Sequence, residues 1–221
     1  MQRKIIFGDY DSFDTWGLTL TGYKLTDPEY KSNFVPVPGR DGDLDLSTAL
    51  TDGEPRFGNR SLTATFELSS GTRDTRLATF NQIVNALSGR RVAITLPDDS
   101  AHYLVGRVSV TVDYCDPYHG ALTVTAICEP WRQAFAEKSE TLTAASTVKA
   151  ATLTNAGRRL LVPTLVVSGA AASVTITFGP STWTLAAGTY KLPDLLLRPG
   201  DNSLTYKGTG TIALTWREAV L

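Results

Sequence analysis

Apolar and polar residues alternate along much of the chain. Trp16, Leu18 and Leu20 fall at every second position, as do Leu62, Ala64, Phe66 and Leu68, then Val92, Ile94 and Leu96, then Val108, Val110 and Val112. A period of two places each set on one face of a strand, and one-sided burial is the habit of antiparallel sheets. The last run opens a long hairpin. With Asp116–Gly120 as its turn, Val108, Val110, Val112 and Tyr114 face Cys128, Ala126, Val124 and Leu122. The opposite face carries Arg107, Ser109, Thr111, Thr123 and Thr125.

One segment has the period of a helix. Leu77, Phe80, Ile83, Val84 and Leu87 recur at helical spacing, with Thr72, Asp74 or Thr75 available as a cap and Gly89 as a stop. A single amphipathic helix among strands should cover a sheet face. Glu140–Thr154 changes texture and shows no strong periodicity, so the boundary between two domains is expected near residue 136. Beyond it, Leu161–Val167, Ser173–Phe178, Ser181–Leu185, Tyr190–Leu197, Ser203–Lys207 and Thr211–Arg217 read as short strands broken by Gly, Pro, Asn and Asp. The expected fold class is mainly β: an N-terminal antiparallel β-sandwich over 1–136 with one α-helix and a long hairpin, then a small β-sandwich over 137–221.

With 221 residues, 42% of them hydrophobic and 19% charged, the composition is that of a globular protein, and no run is apolar enough to span a bilayer. The net charge of -1 hides an asymmetry. Residues 1–54 hold 5 basic and 10 acidic side chains, and residues 139–221 hold 7 and 4. No basic stripe with interleaved aromatics is present, so the pattern is not that of a phosphate-backbone binder. In the expected register Cys115 and Cys128 lie about seven strand positions apart, roughly 23 Å at about 3.3 Å per residue. A disulfide needs Cα atoms within about 7 Å, so two free thiols are expected.

Candidate chemistry is sparse. Asp41, Asp43 and Asp45 alternate as the first ligands of a calcium loop do, but position six is Leu46 where glycine is needed and position twelve is Asp52 instead of Glu. Period two in a strand puts the three carboxylates on one exposed face instead. His102 and His119, the two histidines, belong to no metal-spaced motif and flank predicted loops. No nucleophile elbow occurs, and Asp98-Asp99 after Pro97 reads as turn chemistry. Trp183 shares a face with Leu185, and Trp216 with Ile212 and Leu214, which favours core packing over sugar stacking. No catalytic, cofactor or metal site is expected. Arg40, Asp41, Asp43 and Asp45 have no local charge partners and sit beside rigid Pro-Gly and Asp-Gly turns, which marks them as candidates for contact with another chain.

Val37-Pro38-Gly39-Arg40-Asp41-Gly42-Asp43-Leu44-Asp45 is followed in order by Phe57-Gly58-Asn59-Arg60, a helix closing at Leu87-Ser88-Gly89, and Gly106-Arg107-Val108 opening a hairpin that ends Cys128-Glu129-Pro130-Trp131. Asn155-Ala156-Gly157, Pro163, Pro199–Tyr206 and Gly210–Arg217 complete the series. This order and spacing resembles the distal tail proteins of long-tailed bacteriophages. The resemblance implies an N-terminal domain forming a homohexameric ring and a galectin-like C-terminal sandwich projecting from it. It further implies a place below the tail tube protein in the virion tail or a prophage tail, after assembly in the host cytoplasm. The implied partners are a tail-associated fibre or lysin protein and sometimes receptor-binding proteins, with DNA passing through the ring unbound and no membrane contact. The acidic first segment would suit a duct that must not hold DNA. A carbohydrate-binding adhesin component is the alternative, and a hydrolase a third.

Overall fold

The computed structural model describes residues 3–51, 53–69, 71–113 and 120–221. Tyr114, Cys115, His119, Asp52 and, except for Gly120, the turn at Asp116–Gly120 lie outside the described residues. Backbone contacts divide the chain into two compact units, Met1–Arg132 with Leu221, and Gln133–Val220. The protein is mainly β, with antiparallel sheets and one α-helix.

The first unit holds β1 (Ile6–Phe7), β2 (Tyr10–Asp11), β3 (Thr19–Leu25), β4 (Phe34–Val35), β5 (Leu44–Asp45), β6 (Arg60–Leu68), α1 (Arg73–Leu87), β7 (Arg91–Leu96), β8 (Asp99–Asp113) and β9 (Gly120–Cys128). Its sheet runs β2-β1-β7-β8-β9-β6-β3, while β4 and β5 pair only with each other. Strand β6 alternates strictly, burying Arg60, Leu62, Ala64, Phe66 and Leu68 and exposing the residues between. Leu122, Val124, Ala126 and Cys128 of β9 do the same beside it, and Phe7, Ile94, Leu104 and Val108 extend this core. Trp16 and Leu18 precede β3, which starts only at Thr19 after a turn in which Gly17 takes φ +69°.

Helix α1 caps on Thr72, whose side chain accepts from the Thr75 N–H at 3.3 Å. Its buried stripe is Arg76, Phe80, Ile83 and Leu87, with Leu77 and Val84 at the margin. Arg76 is the addition to the expected face. Its guanidinium donates to the Gly71 carbonyl at 2.8 Å, so the aliphatic stem can be buried while the charge is satisfied. The Phe80 ring occupies the space a side chain at Gly120 would need: a Cβ there would lie 2.4 Å from it.

The β8–β9 hairpin corrects the expected register. Gly106, Val108, Val110 and Val112 face Cys128, Ala126, Val124 and Leu122, a slip of two positions. A slip of two keeps every side chain on its face, so the core assignment holds although the partners change. Gly106 is the natural neighbour of Cys128, because a Cβ there would sit 2.6 Å from the Cys128 Sγ. The turn between β7 and β8 is tight, with Leu96 pairing Asp99, and it places His102 within β8 instead of at a loop flank.

Strand β10 (Arg132–Ala134) begins on the last residue of the first unit's main stretch, and the second unit continues with β11 (Lys138–Thr143), β12 (Lys149–Asn155), β13 (Thr164–Phe178), β14 (Ser181–Ala186), β15 (Gly188–Lys191), β16 (Gly200–Trp216) and β17 (Ala219–Val220). Four expected short strands merge into two long ones. β13 pairs β15 over Thr164–Val167 and β14 over Ser173–Phe178, and β16 pairs β12 over its first half and β11 over its last. Each long strand therefore serves both halves of the unit, bending where its register shifts between Ser168 and Ser173. Gly208 at φ +129° permits this, since a Cβ there would meet the Ser173 carbonyl oxygen at 2.1 Å. Gly169, Gly208 and Gly210, which read as strand breaks, lie inside continuous strands, whereas Gly179 is a true break between β13 and β14.

Glu140–Thr154 contains parts of β11 and β12, invisible in the sequence because β11 buries only Leu142 and takes its shape from pairing with β16. Tyr190–Leu197 is not a strand, since β15 ends at Lys191. Leu165, Val167, Val174, Ile176, Leu204, Tyr206, Ile212, Leu214 and Trp216 form this unit's core, with Trp183 packed against it.

Candidate functional site

The chain between Tyr30 and Phe57 leaves the first unit's sheet as an arm. Its root is closed by a bridge between these two residues, by the Lys31 N–H donating to the Arg56 carbonyl at 2.9 Å and by the Gly58 N–H donating to the Glu29 carbonyl at 2.8 Å. Aromatic rings hold this root. Tyr30 meets Phe57 edge-on with centroids 6.2 Å apart, and Phe57 meets Trp131 edge-on at 5.6 Å. Further out, Phe34 pairs Asp45 and Val35 pairs Leu44. The turn beyond uses Gly39 at φ +79° and Gly42 at φ +72°, left-handed positions that glycine adopts without strain. Asn33 donates to the Ser47 hydroxyl at 2.8 Å, and the Ser47 N–H to Asp45 at 2.9 Å, which stiffens the return path.

The arm's side chains are unusual for a part with no core of its own. Tyr30, Phe34, Val35, Val37, Leu44, Leu46 and Leu50 are all exposed, Phe34 at 55% and Leu50 at 98%. Isolated apolar residues on a surface are ordinary, but a cluster on one projecting segment marks a contact surface. The structure places Arg40, Asp41, Asp43 and Asp45 together here, all exposed. Only Asp45 lies in a strand, so the three carboxylates do not share one strand face: Asp41 is in a bend and Asp43 is the irregular residue just before β5. Hydrogen bonds from the Ser47 hydroxyl and backbone hold the Asp45 carboxyl below its ordinary range. Asp41 and Asp43 make no hydrogen bond or ion pair with any described residue.

Beside the arm's root lies a cleft of about 340 Å³ whose lining includes Asp27, Glu29, Asn59, Arg60 and Ile127. Asn59 and Ile127 also border a neighbouring hollow of about 380 Å³. Arg60 is only 3% exposed. Its Nε and Nη2 are buried with no hydrogen-bond partner among the described residues. Burial lowers the affinity of this guanidinium for its proton, and nearby Arg132 adds to the effect against a weaker opposing pull from Asp27. Arg132 itself is committed, donating to Asp99 at 3.0 Å and to the Leu221 carbonyl at 3.1 Å. Burial of Asp99 works against ionisation, but His102 Nδ1 at 2.9 Å and Arg132 outweigh it and hold the carboxyl low.

The sequence marks Arg60 by phase: it is the charged member of the buried set Leu62, Ala64, Phe66 and Leu68. The arm's apolar cluster carries no such signal, because its residues follow no single period.

Nothing among these groups assembles an evident reaction centre. The Asp99–His102 pair has a cation, Arg132, as its third member, which supplies no nucleophile. Among the described residues no group of three His, Cys, Asp or Glu side chains could hold a metal, and no helix is long and apolar enough to cross a membrane. Trp216 is buried and Trp183 half-buried in the second unit's core, so neither stands as an open platform.

No protein-family model matches the chain, and no curated protein sequence matches it. Among solved structures it is similar to the crystal structure of the SPP1 Dit (gp 19.1) protein, described as a paradigm of the hub adsorption apparatus in phages infecting Gram-positive bacteria. The likeness has a TM-score of 0.69 and covers 97% of this chain and 98% of that one, at 16% sequence identity. This chain has the SPP1 Dit fold. The likeness covers residues of both units.

Proposed function

We propose that this protein is a structural hub of a long-tailed phage or prophage tail tip. Copies close into a hexameric ring through the first unit, and the ring joins the tail tube protein to a tail-associated fibre or lysin protein and to receptor-binding proteins. DNA passes through its opening without being bound. The protein acts through shape and symmetry and carries no catalytic activity. The second unit, a galectin-like sandwich in this reading, docks protein.

The arm is the observation that carries the reading. An ordered segment that exposes Phe34, Leu44, Leu46 and Leu50, stiffened by its own hydrogen bonds, is poorly explained in an isolated chain and well explained as a clasp on a neighbour. The shared fold with a phage hub protein supports the same reading.

Sedimentation velocity tests it. The wild-type chain is expected to reach about six times 23.9 kDa as concentration rises, since assembly follows mass action. The variant Phe34→Ser/Leu46→Ser should remain a monomer with an unchanged melting midpoint, because both residues are exposed. Absence of any assembly, or assembly unaffected by the variant, would count against the hub reading.

A further inference from the structure

The outer face of β9 carries an isoleucine that its surroundings do not explain. Ile127 is 64% exposed, and its neighbours on that face are Thr125 in the same strand, Ser61 across in β6 and Arg107 across in β8. One exposed apolar residue is ordinary. This one is a ridge between two hollows, both of which are lined by Ile127 and Asn59. The hollows differ in sign. Asp27 and Glu29 border the first, where Arg60 is buried. Arg91, Arg107 and Glu129 border the second, together with Val105. Arg91 pairs with Glu129 while 57% of its side chain stays exposed. Arg107 is exposed and commits one of its five N–H donors, to the Gly89 carbonyl, with no other side-chain partner among the described residues. One accessible cation is thus left over on this side of the ridge.

We propose that the Ile127 ridge and the arginine-lined hollow beside it seat the arm tip of a second copy of the chain, with Leu44 of that copy on Ile127 and its Asp43 carboxylate on Arg107. The two surfaces match in both charge and polarity. The tip carries Asp41, Asp43 and Asp45 against Arg40, and Asp41 and Asp43 make no hydrogen bond or ion pair with any described residue. Beside them Val37 and Leu44 are exposed. The chain's own arm leaves Ile127 uncovered, although Glu29 at the arm's root borders the first hollow. Ten peptide units from Tyr30 to Arg40 span at most about 33–36 Å. That is more than twice the radius of gyration of about 14 Å for a unit the size of Met1–Arg132, so the tip can reach an adjoining copy. Asp27 and Glu29 repel the tip from the first hollow, which fixes the side on which its carboxylates lie. Seat and tip are different surfaces of one chain, so the contact is head-to-tail, and such contacts can close a ring. This inference rests on the hub reading and adds which surface of one copy the arm of the next engages.

Full-length wild type is compared with Ile127→Ser, Arg107→Glu, Asp43→Arg, the Arg107→Glu/Asp43→Arg combination, and Lys24→Glu, an equal charge change on the same sheet face. Sedimentation velocity reads association, and the melting midpoint is taken at a dilution where the chain is monomeric. Ile127→Ser, Arg107→Glu and Asp43→Arg should each weaken association by about tenfold or more. Ile127→Ser and Asp43→Arg alter exposed side chains and should leave the dilute midpoint unchanged, so they decide the matter even where Arg107→Glu disturbs its own fold. The combination should recover most of the lost association, because it restores an opposite-charge pair in reversed order. Lys24→Glu should associate like wild type.

Wild-type association of Ile127→Ser or Asp43→Arg overturns the proposal. So does a combination no better than the weaker of its two members, or a loss in Lys24→Glu equal to that in Arg107→Glu, which would be an effect of net charge alone. If Phe34→Ser/Leu46→Ser abolishes assembly while the seat variants leave it intact, the seat fails and the hub reading stands. If the wild type never assembles, both fail.

Discussion

Gly106 offers a sharp test of the packing between β8 and β9. An alanine Cβ at this position would sit 2.6 Å from the Cys128 Sγ, 3.1 Å from the Ile127 carbonyl oxygen and 3.3 Å from the Cys128 Cα. The sulfur is fully buried and the other two atoms are backbone, so neither side yields cheaply. Overpacking of this kind costs about 1–3 kcal/mol. Alanine also restricts the unfolded chain, which returns about 0.4–1 kcal/mol. The net expectation for Gly106→Ala is a loss of about 1–2 kcal/mol, or roughly 4–8 °C in the first unit's midpoint. Cys128→Ala alone should cost about 1 kcal/mol through lost burial. The double variant removes the closest clash and leaves only the two backbone approaches, so it should be more stable than the sum of the single changes by about 1 kcal/mol. Urea unfolding and calorimetry of the four proteins complete the cycle. If Gly106→Ala is as stable as wild type, or the two changes simply add, then Gly106 does not face Cys128 and the hairpin register is wrong.

Removing the cap hydroxyl in Thr72→Ala should cost about 1 kcal/mol of stability in the first unit by urea titration, and Thr72→Ser should restore most of it, because the Thr75 N–H regains an acceptor. Burial pushes the Cys128 thiol up to about 11 from an ordinary 9.0. The folded state therefore holds this proton longer than the unfolded state, so the thiol's stabilising contribution is intact below pH 9.0 and fades as pH climbs toward 11. Unfolding titrations at about pH 8 and about pH 10 should show a smaller alkaline loss in Cys128→Ala than in wild type, and an equal loss in both would contradict the buried position.

Much of the fold is written in alternation, and the errors lie where alternation cannot discriminate. β6 is legible because each odd member is apolar and each even one polar, Arg60 apart. The β8–β9 faces were legible but their partners were not, since registers two residues apart satisfy the same pattern and only the fit of Gly106 against Cys128 separates them. β11 could not be read from its own residues, because one buried leucine does not make a period. The joins within β13 and β16 were hidden by Gly169, Gly208 and Gly210, which serve equally as turn residues and as points where two backbones cross closely. The candidate site was half legible. Arg40, Asp41, Asp43 and Asp45 stand out as charges without neighbours, whereas the solitude of Arg60 depends on what Asp27, Arg132 and Cys128, distant in sequence, do around it.

The strict in-and-out rhythm of β6 leaves its exact lettering largely free. It asks of each position only which side of a boundary it occupies, so valine can replace leucine, or serine replace threonine, many times over while the backbone path stays put. Many different spellings satisfy the same rule. A chain can thus share its fold with a phage hub protein along 97% of its length at 16% identity.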